Sequence, residues 1–452
     1  MKKTLLKIYL LFILLIIYGA LVILGINERN KFPFFEKSAL FIAQIPFNIY
    51  EVSRYFFVHD GKPENLVVNT KDINKHLSLA ELENTKNFEF KGQNALMLVG
   101  RYDPSIPAGI IDIIDLNTNY LIHRIIPNLK DYEKYKMSNL FASLPDKEYF
   151  IPTSPILTND GNLIFNMNSP LYKVDLCGNT LWINDKFIFH HMMNELSNNS
   201  FISPIKSDIP SDLLNLINND KFVNEGYAII SQNGDIVKHE DLYSILKENN
   251  LINKIISKNG IINQDIFHLN DIEEVKFNGK YFKKNDLFFS VRNMSSIIHY
   301  RPKTKKIIKI IEGPFINQHD IDIVGDGKIT IFNNNALNTM ELNNLININN
   351  SEIIEYDYET KNFKKKYNDL MKSYKIKSTT EGSFHEFNNK NFLIDDSTNS
   401  VFYFFDKNKK LFNIYENIYK NKKYALFWPT IVEDKDKIKK LKNNIRNLSC
   451  DP

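Results

Sequence analysis

Past residue 90 the chain repeats one pattern: a run of about four to seven residues rich in Ile, Phe, Val and Tyr, a polar turn, then a second apolar run of similar length. Asp160-Gly161, Asn233-Gly234 and Gly325-Asp326-Gly327 are turns of the hairpin kind, and Asp115, Asp175, Asp357 and Asp406 open Asx-initiated turns. The pattern predicts that Gly109–Asp115 pairs with Tyr120–Ile126, and Leu171–Asp175 with Thr180–Ile183. It likewise pairs Ser296–Arg301 with Lys306–Ile311, and Val401–Asp406 with Lys410–Tyr415. Hairpins recurring at loose spacing are how a β-propeller reads in sequence, and at about 45–60 residues per blade the stretch 91–420 would hold roughly six blades. A β-sandwich, the competing all-β architecture, seldom reaches this length as one domain.

Two regions leave the strand pattern. Ser207–Asn219 and Glu240–Lys258 carry leucines and isoleucines at helical spacing and are expected to be helical excursions between strands. The segment 28–90, with mixed aromatic and aliphatic residues over Phe35–Tyr55, is expected to pack on the propeller. Residues 421–452 are expected to form a helical tail, basic towards its end. At the other terminus, Lys2, Lys3 and Lys7 precede an apolar run from Ile8 to Ile26. At 1.5 Å per residue that run just spans a hydrocarbon core of about 30 Å, and the lysines favour a cytoplasmic N-terminus. Residues 1–27 are therefore expected to be an uncleaved single-pass anchor, with the rest on the extracytoplasmic side of the cytoplasmic membrane. A cleaved signal would have a shorter apolar region followed by a small-x-small site, and Asn27–Phe34 offers none.

Composition narrows the partners. With 43% hydrophobic and 24% charged residues the chain is globular, and a net charge of +4 with dispersed lysines gives no basic stripe for nucleic acid. Cys177 and Cys450 are either a disulfide pinning the tail or two free thiols. Oligomeric state is open, a homodimer included.

Four short stretches carry the chemistry: Phe189-His190-His191, Phe267-His268-Leu269-Asn270, Ser290-Val291-Arg292 and Gln318-His319-Asp320. A fold that brings successive strands to one centre would gather them into a group rich in nitrogen and almost free of carboxylates, which suits an anion. Strand alternation places only one of His190 and His191 inward, and the reading favours His191. Asp320 and Asp322 near Gly325–Gly327 lack the spacing of a calcium loop and are read as part of a plain hairpin. His299 and His385 are read as packing residues. Tyr102, Phe189, Phe315 and Trp428 could stack on an aryl group but fit core packing better.

The order and spacing of these stretches, with Tyr300-Arg301-Pro302, Gly313-Pro314 and Phe332-Asn333-Asn334 between and after them, resemble the arylsulfotransferase (aryl-sulfate sulfotransferase) family over approximately residues 94–417. The resemblance implies a six-bladed propeller that moves a sulfuryl group from an aryl sulfate to a phenol, without a nucleotide donor or cofactor, through a sulfated histidine. It implies His319 as nucleophile, with His191 or His190, His268, Asn270 and Arg292 around the sulfate oxygens; Tyr102 is carried with His190 as a substrate contact. Two departures stand out: Met192-Met193 follows the His pair where the family has an acidic residue, and the segment before the propeller is too short for a separate N-terminal sandwich domain.

The residue chemistry agrees with those roles. A neutral imidazole is a competent nucleophile near neutral pH, and an arginine offers a fixed fork of donors to an oxyanion. Asn270 adds an uncharged donor. Two other readings remain: a metal centre on the converging imidazoles, and a non-catalytic propeller that binds an anion or a partner.

Overall fold

The computed structural model describes residues 67–68 and 95–450, apart from 139, 142–143, 218–221, 256–263, 340–343, 388–389 and 427. The expected anchor and the segment 28–90 lie outside the described residues, save Val67–Val68, which pair with Lys423 and Tyr424. No described helix is long and apolar enough to cross a membrane.

The fold is all-β and propeller-like, a succession of antiparallel meanders. Strands Leu96–Asp103, Ala108–Asp115 and Tyr120–Ile125 form the first, and Thr153–Leu157 to Thr180–Phe189 the second. The second joins Phe201–Ser207, Asn224–Ile230 and Ile236–Asp241 in one eight-stranded sheet. Four-stranded sheets follow over 269–312 and 321–366, and the last meander opens with Ser383–Phe387 and runs through Leu411–Tyr419. Each predicted hairpin is present: Ile113 pairs with His123, Tyr172 with Ile183, Ile298 with Ile310 and Phe402 with Tyr415.

Beyond residue 420 the structure departs from the expected helical tail. Lys422–Tyr424 extends the last sheet, and Thr430–Val432 pairs with Leu96–Leu98, so the chain end completes the sheet that the first meander began. The helix starts only at Lys435, where the Asp434 carboxylate accepts from the N–H groups of Asp436 and Lys437. It runs to Arg446 and buries Ile438 and Leu441, a three-residue spacing that puts both on one face against Leu163 and Tyr172. Cys177 and Cys450 form a disulfide that ties the end of the chain to the turn Asp175–Asn179. Among the described residues the helical excursions are Ser211–Ile217 and Leu242–Glu248, the second capped by Asp241 and followed by a 3-10 turn at Ile252–Ile255.

The core lies between meanders. Ile156 and Ile164 pack with Phe201 and Ile230; Ile202 and Tyr227 with Leu269 and Phe289; Phe288 and Ile297 with Ile321 and Ile329. Phe332 and Ile353 pack with Phe384 and Phe392, and Phe402 and Phe404 with Met97 and Val99, which closes the circle. At about 1.5–3 kcal/mol per fully buried large apolar side chain, these interfaces hold the sheets face to face.

Two repeated devices aim the chain into the innermost strands. The first is a left-handed residue just before or at the start of each: Ser154, His191, His268, Asn317, Glu381 and Trp428 all have φ between 44° and 55°. Such conformations cost on the order of 1–3 kcal/mol each when the residue is not glycine and persist only where the surroundings fix them. The second is a buried carboxylate reaching the backbone of the next meander. Glu225 accepts from the Leu269 N–H at 2.5 Å, Asp271 from Ile321 at 3.1 Å, Asp320 from Phe384 at 2.8 Å and Asp395 from Trp428 at 2.9 Å.

Candidate active site

The left-handed corners explain how distant residues meet. His191, His268, Glu381 and Trp428 sit at corners, and His319 lies two residues past the corner at Asn317. All therefore collect at the end of the axis where the chain enters the innermost strands. Arg292 reaches the same place from the other direction, in a single 3-10 turn after strand Leu287–Val291, and its N–H donates to the His268 carbonyl at 3.1 Å. The expectation of strand-borne histidines is thus corrected: they stand in the turns that feed the strands, where ring direction is set by the corner and not by alternation.

The ring of His191 is the hub. Its centroid lies 5.0 Å from His268, 6.1 Å from His319 and 5.4 Å from Trp428. His190 stands behind it, with the two Nδ1 atoms 2.6 Å apart and His190 Nε2 3.6 Å from Glu225. His190 is almost wholly buried, and burial, with the Lys206 and His268 charges, pulls its pKa down to about 3.

His319 has both nitrogens engaged. Nδ1 is 2.7 Å from Asn334 Oδ1, and Nε2 accepts from the Glu381 N–H at 3.0 Å. Burial and then the Arg292 charge hold its imidazole well below the usual range, so it is neutral and offers a lone pair on Nε2. His191 is held down likewise, by burial and then by the charges of His190, His268 and His319.

His268 has a different partner. Its Nδ1 lies 2.6 Å from Asp265, whose carboxyl burial pushes up but whose hydrogen bond from His268 leaves it below its ordinary value. Arg292 is buried; one terminal nitrogen donates to Asn293 at 2.9 Å, and its Nε meets no acceptor among the described residues. Burial pulls its pKa below the usual value while Asp265 and Glu381 oppose. Asn270 donates to the Gln318 carbonyl at 3.0 Å, and its Oδ1 is buried without a described partner. A guanidinium with an unused buried donor among neutral imidazoles can hold an oxyanion.

Tyr102 is not part of this group. Its ring packs against Tyr149 and Tyr424 at 5.9 and 5.7 Å in a separate cluster with Ile151, which corrects its place among the substrate contacts. Phe189 and Phe315 are likewise core residues, while Trp428 packs on His191. The axial imidazoles do not form a metal-ligand set: among the described residues, the group with three ligand atoms close enough together is Asp320, Asp322 and His385.

The profile of the arylsulfotransferase (ASST) family matches residues 155–417, more than half of the 452 residues. The chain belongs to that family. The matched span includes His190, His191, His268, Asn270, Arg292 and His319 and leaves out Trp428. No curated protein matches this arylsulfotransferase. Similar solved structures include a protein of unknown function from Bacteroides caccae, at 8% identity over 76% of this chain and 100% of that one, with a TM-score of 0.45. Others are virginiamycin B lyase from Staphylococcus aureus (11% identity, 60% and 71% coverage, TM-score 0.34) and a chain of a nidogen–laminin complex (10%, 75% and 98%, 0.40).

Two parts of this arylsulfotransferase site were beyond sequence reasoning. Glu381, in Thr380-Glu381-Gly382, carries no motif, and its contribution is a backbone N–H. Asn334 lay in view in Asn333-Asn334, but nothing in the sequence ties it to His319.

Proposed function

We propose that this arylsulfotransferase moves a sulfuryl group from an aryl sulfate to a phenol without a nucleotide donor, through a sulfohistidine on His319. The observation that carries the reading is the state of His319: neutral, held at Nδ1 by Asn334, with an Nε2 lone pair that meets only the Glu381 backbone N–H, beside the His191 ring. In the first half-reaction Nε2 attacks sulfur and the S–O bond to the aryl group breaks. His268, paired through Nδ1 with the Asp265 carboxylate, protonates the leaving phenolate. In the second half the acceptor phenol gives its proton to His268 and attacks sulfur, and the S–N bond breaks. Arg292 and Asn270 bind the peripheral oxygens, on which charge collects in the transition state. The Glu381 N–H holds the Nε2 lone pair until sulfur takes its place.

We read the propeller as six-bladed, the eight-stranded sheet being two blades. The support is that these halves share two pairings, Phe189 with Ile205 and Ile188 with Lys206, and that the left-handed corners and the interfacial cores each recur six times. We also propose that residues 1–27 anchor the protein in the cytoplasmic membrane with the propeller on the oxidising side. The apolar run after three lysines supports this, and so does the Cys177–Cys450 disulfide.

The full chain in detergent, mixed with a chromogenic aryl sulfate with and without a phenol, tests the reaction. Acceptor-dependent chromophore release is expected, together with an acid-labile sulfate on the His319 peptide in mass spectrometry. A His319→Ala protein that still transfers sulfate would sink the covalent step.

A further inference from the structure

Four acids along the innermost strands, two buried and two half-buried, find no use in sulfuryl transfer. Asp271 and Glu273 lie on strand Leu269–Glu274, Asp320 and Asp322 just before and on Ile321–Gly325, and His385 on Ser383–Phe387. The spacing of two keeps Asp271 with Glu273, and Asp320 with Asp322, on common faces. Of these carboxylates, Asp322 lies 3.7 Å from His385 Nδ1. Two have structural duties: Asp271 accepts from Asn194, Ile272 and Ile321, and one oxygen of Asp320 accepts from Phe384.

One ligand atom each of Asp320, Asp322 and His385 lies within 4.8 Å of the other two. A cation about 2.0–2.2 Å from each donor needs them roughly 3–4 Å apart, so small side-chain movements close the set. Asp322, His385 and Glu273 line a cleft of about 400 Å³, together with Asn194, Glu195 and Lys276. Ions and their water can therefore reach Asp322 and His385.

A second observation points the same way. Thr330 Oγ1 and Ser383 Oγ are buried and have no hydrogen-bond partner among the described residues. Thr330 stands directly opposite Asp322 in the antiparallel register, and Ser383 is two residues before His385 on the same strand face. An unpartnered buried hydroxyl is destabilising, and these two flank the same three side chains.

We propose that Asp320, Asp322 and His385 bind a first-row divalent cation, Mn²⁺ or Zn²⁺. One imidazole among oxygen donors favours these ions over Mg²⁺ and Ca²⁺. The bound ion ties together the innermost strands that follow Asn317–His319 and Glu381, and so braces the nucleophile's surroundings through Asp320, the residue next to His319. This site is distinct from the turn Gly325–Gly327, where Asp326 is occupied by the N–H groups of Lys280, Tyr281 and Phe282.

Full-length protein dialysed against chelator would be titrated with MnCl₂ and with ZnCl₂ by calorimetry, with Mn²⁺ electron paramagnetic resonance as a direct count. One ion per chain is expected, with a rise in melting temperature. Asp322→Asn and His385→Gln should each weaken binding at least about tenfold, on the scale of a lost ligand or its support. His191→Ala should bind as wild type does. Circular dichroism checks folding; Asp322→Asn removes a charge from a crowd of like charges, and His385→Gln stands in if that variant does not fold. The proposal fails if wild type takes up neither ion, if both variants bind as tightly as wild type, or if His191→Ala alone abolishes binding.

Discussion

Asn334 fixes the tautomer of His319. Its Oδ1 is 2.7 Å from His319 Nδ1, while its amide nitrogen donates to the carbonyls of Ser378 at 3.0 Å and Glu381 at 2.7 Å. With the amide hydrogens given to carbonyls, the oxygen must face the ring, so the ring proton sits on Nδ1 and the lone pair on Nε2. Asn334→Ala frees the ring to rotate and to exchange tautomers. A fall in kcat on the order of 100-fold is expected, with KM changing much less, as for other groups that orient a reacting imidazole. Steady-state kinetics with an aryl sulfate donor read both parameters; an equal change in KM alone would place Asn334 in binding.

Arg292→Lys is the sharpest test of sulfate recognition. The buried guanidinium keeps Nε without a described partner, and lysine retains the charge but not the fork. Charge-assisted hydrogen bonds contribute about 1.5–3 kcal/mol, so kcat/KM should fall roughly ten- to hundredfold. Inhibition by inorganic sulfate should weaken in parallel. Unchanged sulfate inhibition would mean that the guanidinium faces elsewhere during turnover.

The hairpins were legible because Asx and Gly turns between β-branched runs leave a local trace, and each predicted pairing is present. The four histidine and arginine stretches were legible as a set because a family pattern keeps their order. What the sequence hid is non-local. The pairing of Thr430–Val432 with Leu96–Leu98 joins the two ends of the described chain, and no short window contains it. The left-handed corners at His191, His268 and Glu381 carry none of the Gly or Asn that advertises such a backbone. His385 reads as an isolated packing residue until strand order sets it against Asp322, 3.7 Å away. Tyr102 shows the reverse error, an aromatic residue near the resemblance whose ring is spent on Tyr149 and Tyr424.

The buried titratable groups define a pH window. His190 is held at about 3 against an unfolded value of 6.5, so its contribution to stability is present above pH 6.5 and is lost as pH falls towards 3. Asp395 and Glu225 run the other way. Burial pushes both up to about 8, so their contribution is full below the unfolded carboxylate values and is lost as pH rises through 8. From these three groups the melting temperature should fall as pH rises from about 4.5 to 8, most steeply above 6.5 where His190 no longer opposes, and level off beyond 8. Asp395→Asn should flatten the alkaline fall, since an amide oxygen can still accept from the Trp428 N–H without an ionisation to suppress. Scanning calorimetry from pH 5 to 10 reads both the fall and the plateau; a fall as steep in the variant as in wild type would rule Asp395 out as its cause.

The disulfide should matter out of proportion to its place at the chain end. It links positions 273 residues apart, and in the loop-entropy picture so long a loop restricts the unfolded chain strongly, with measured effects of about 2–4 kcal/mol. In the folded state it holds the end of the helix Lys435–Arg446, whose Ile438 and Leu441 fill the core beside Leu163 and Tyr172. That helix directly follows Thr430–Val432, the strand that completes the first sheet. Loss of the bond thus loosens the same segment that closes the sheets into a circle, and Trp428 beside His191 lies just upstream of it. Reductant should lower the melting temperature of wild type and not that of Cys450→Ser, which should already melt at the reduced value. Intrinsic fluorescence of Trp428, separated from that of Trp182 with a Trp182→Phe variant, should shift before global unfolding in the reduced protein. If reductant lowers wild type and Cys450→Ser equally, the bond contributes nothing to the native fold.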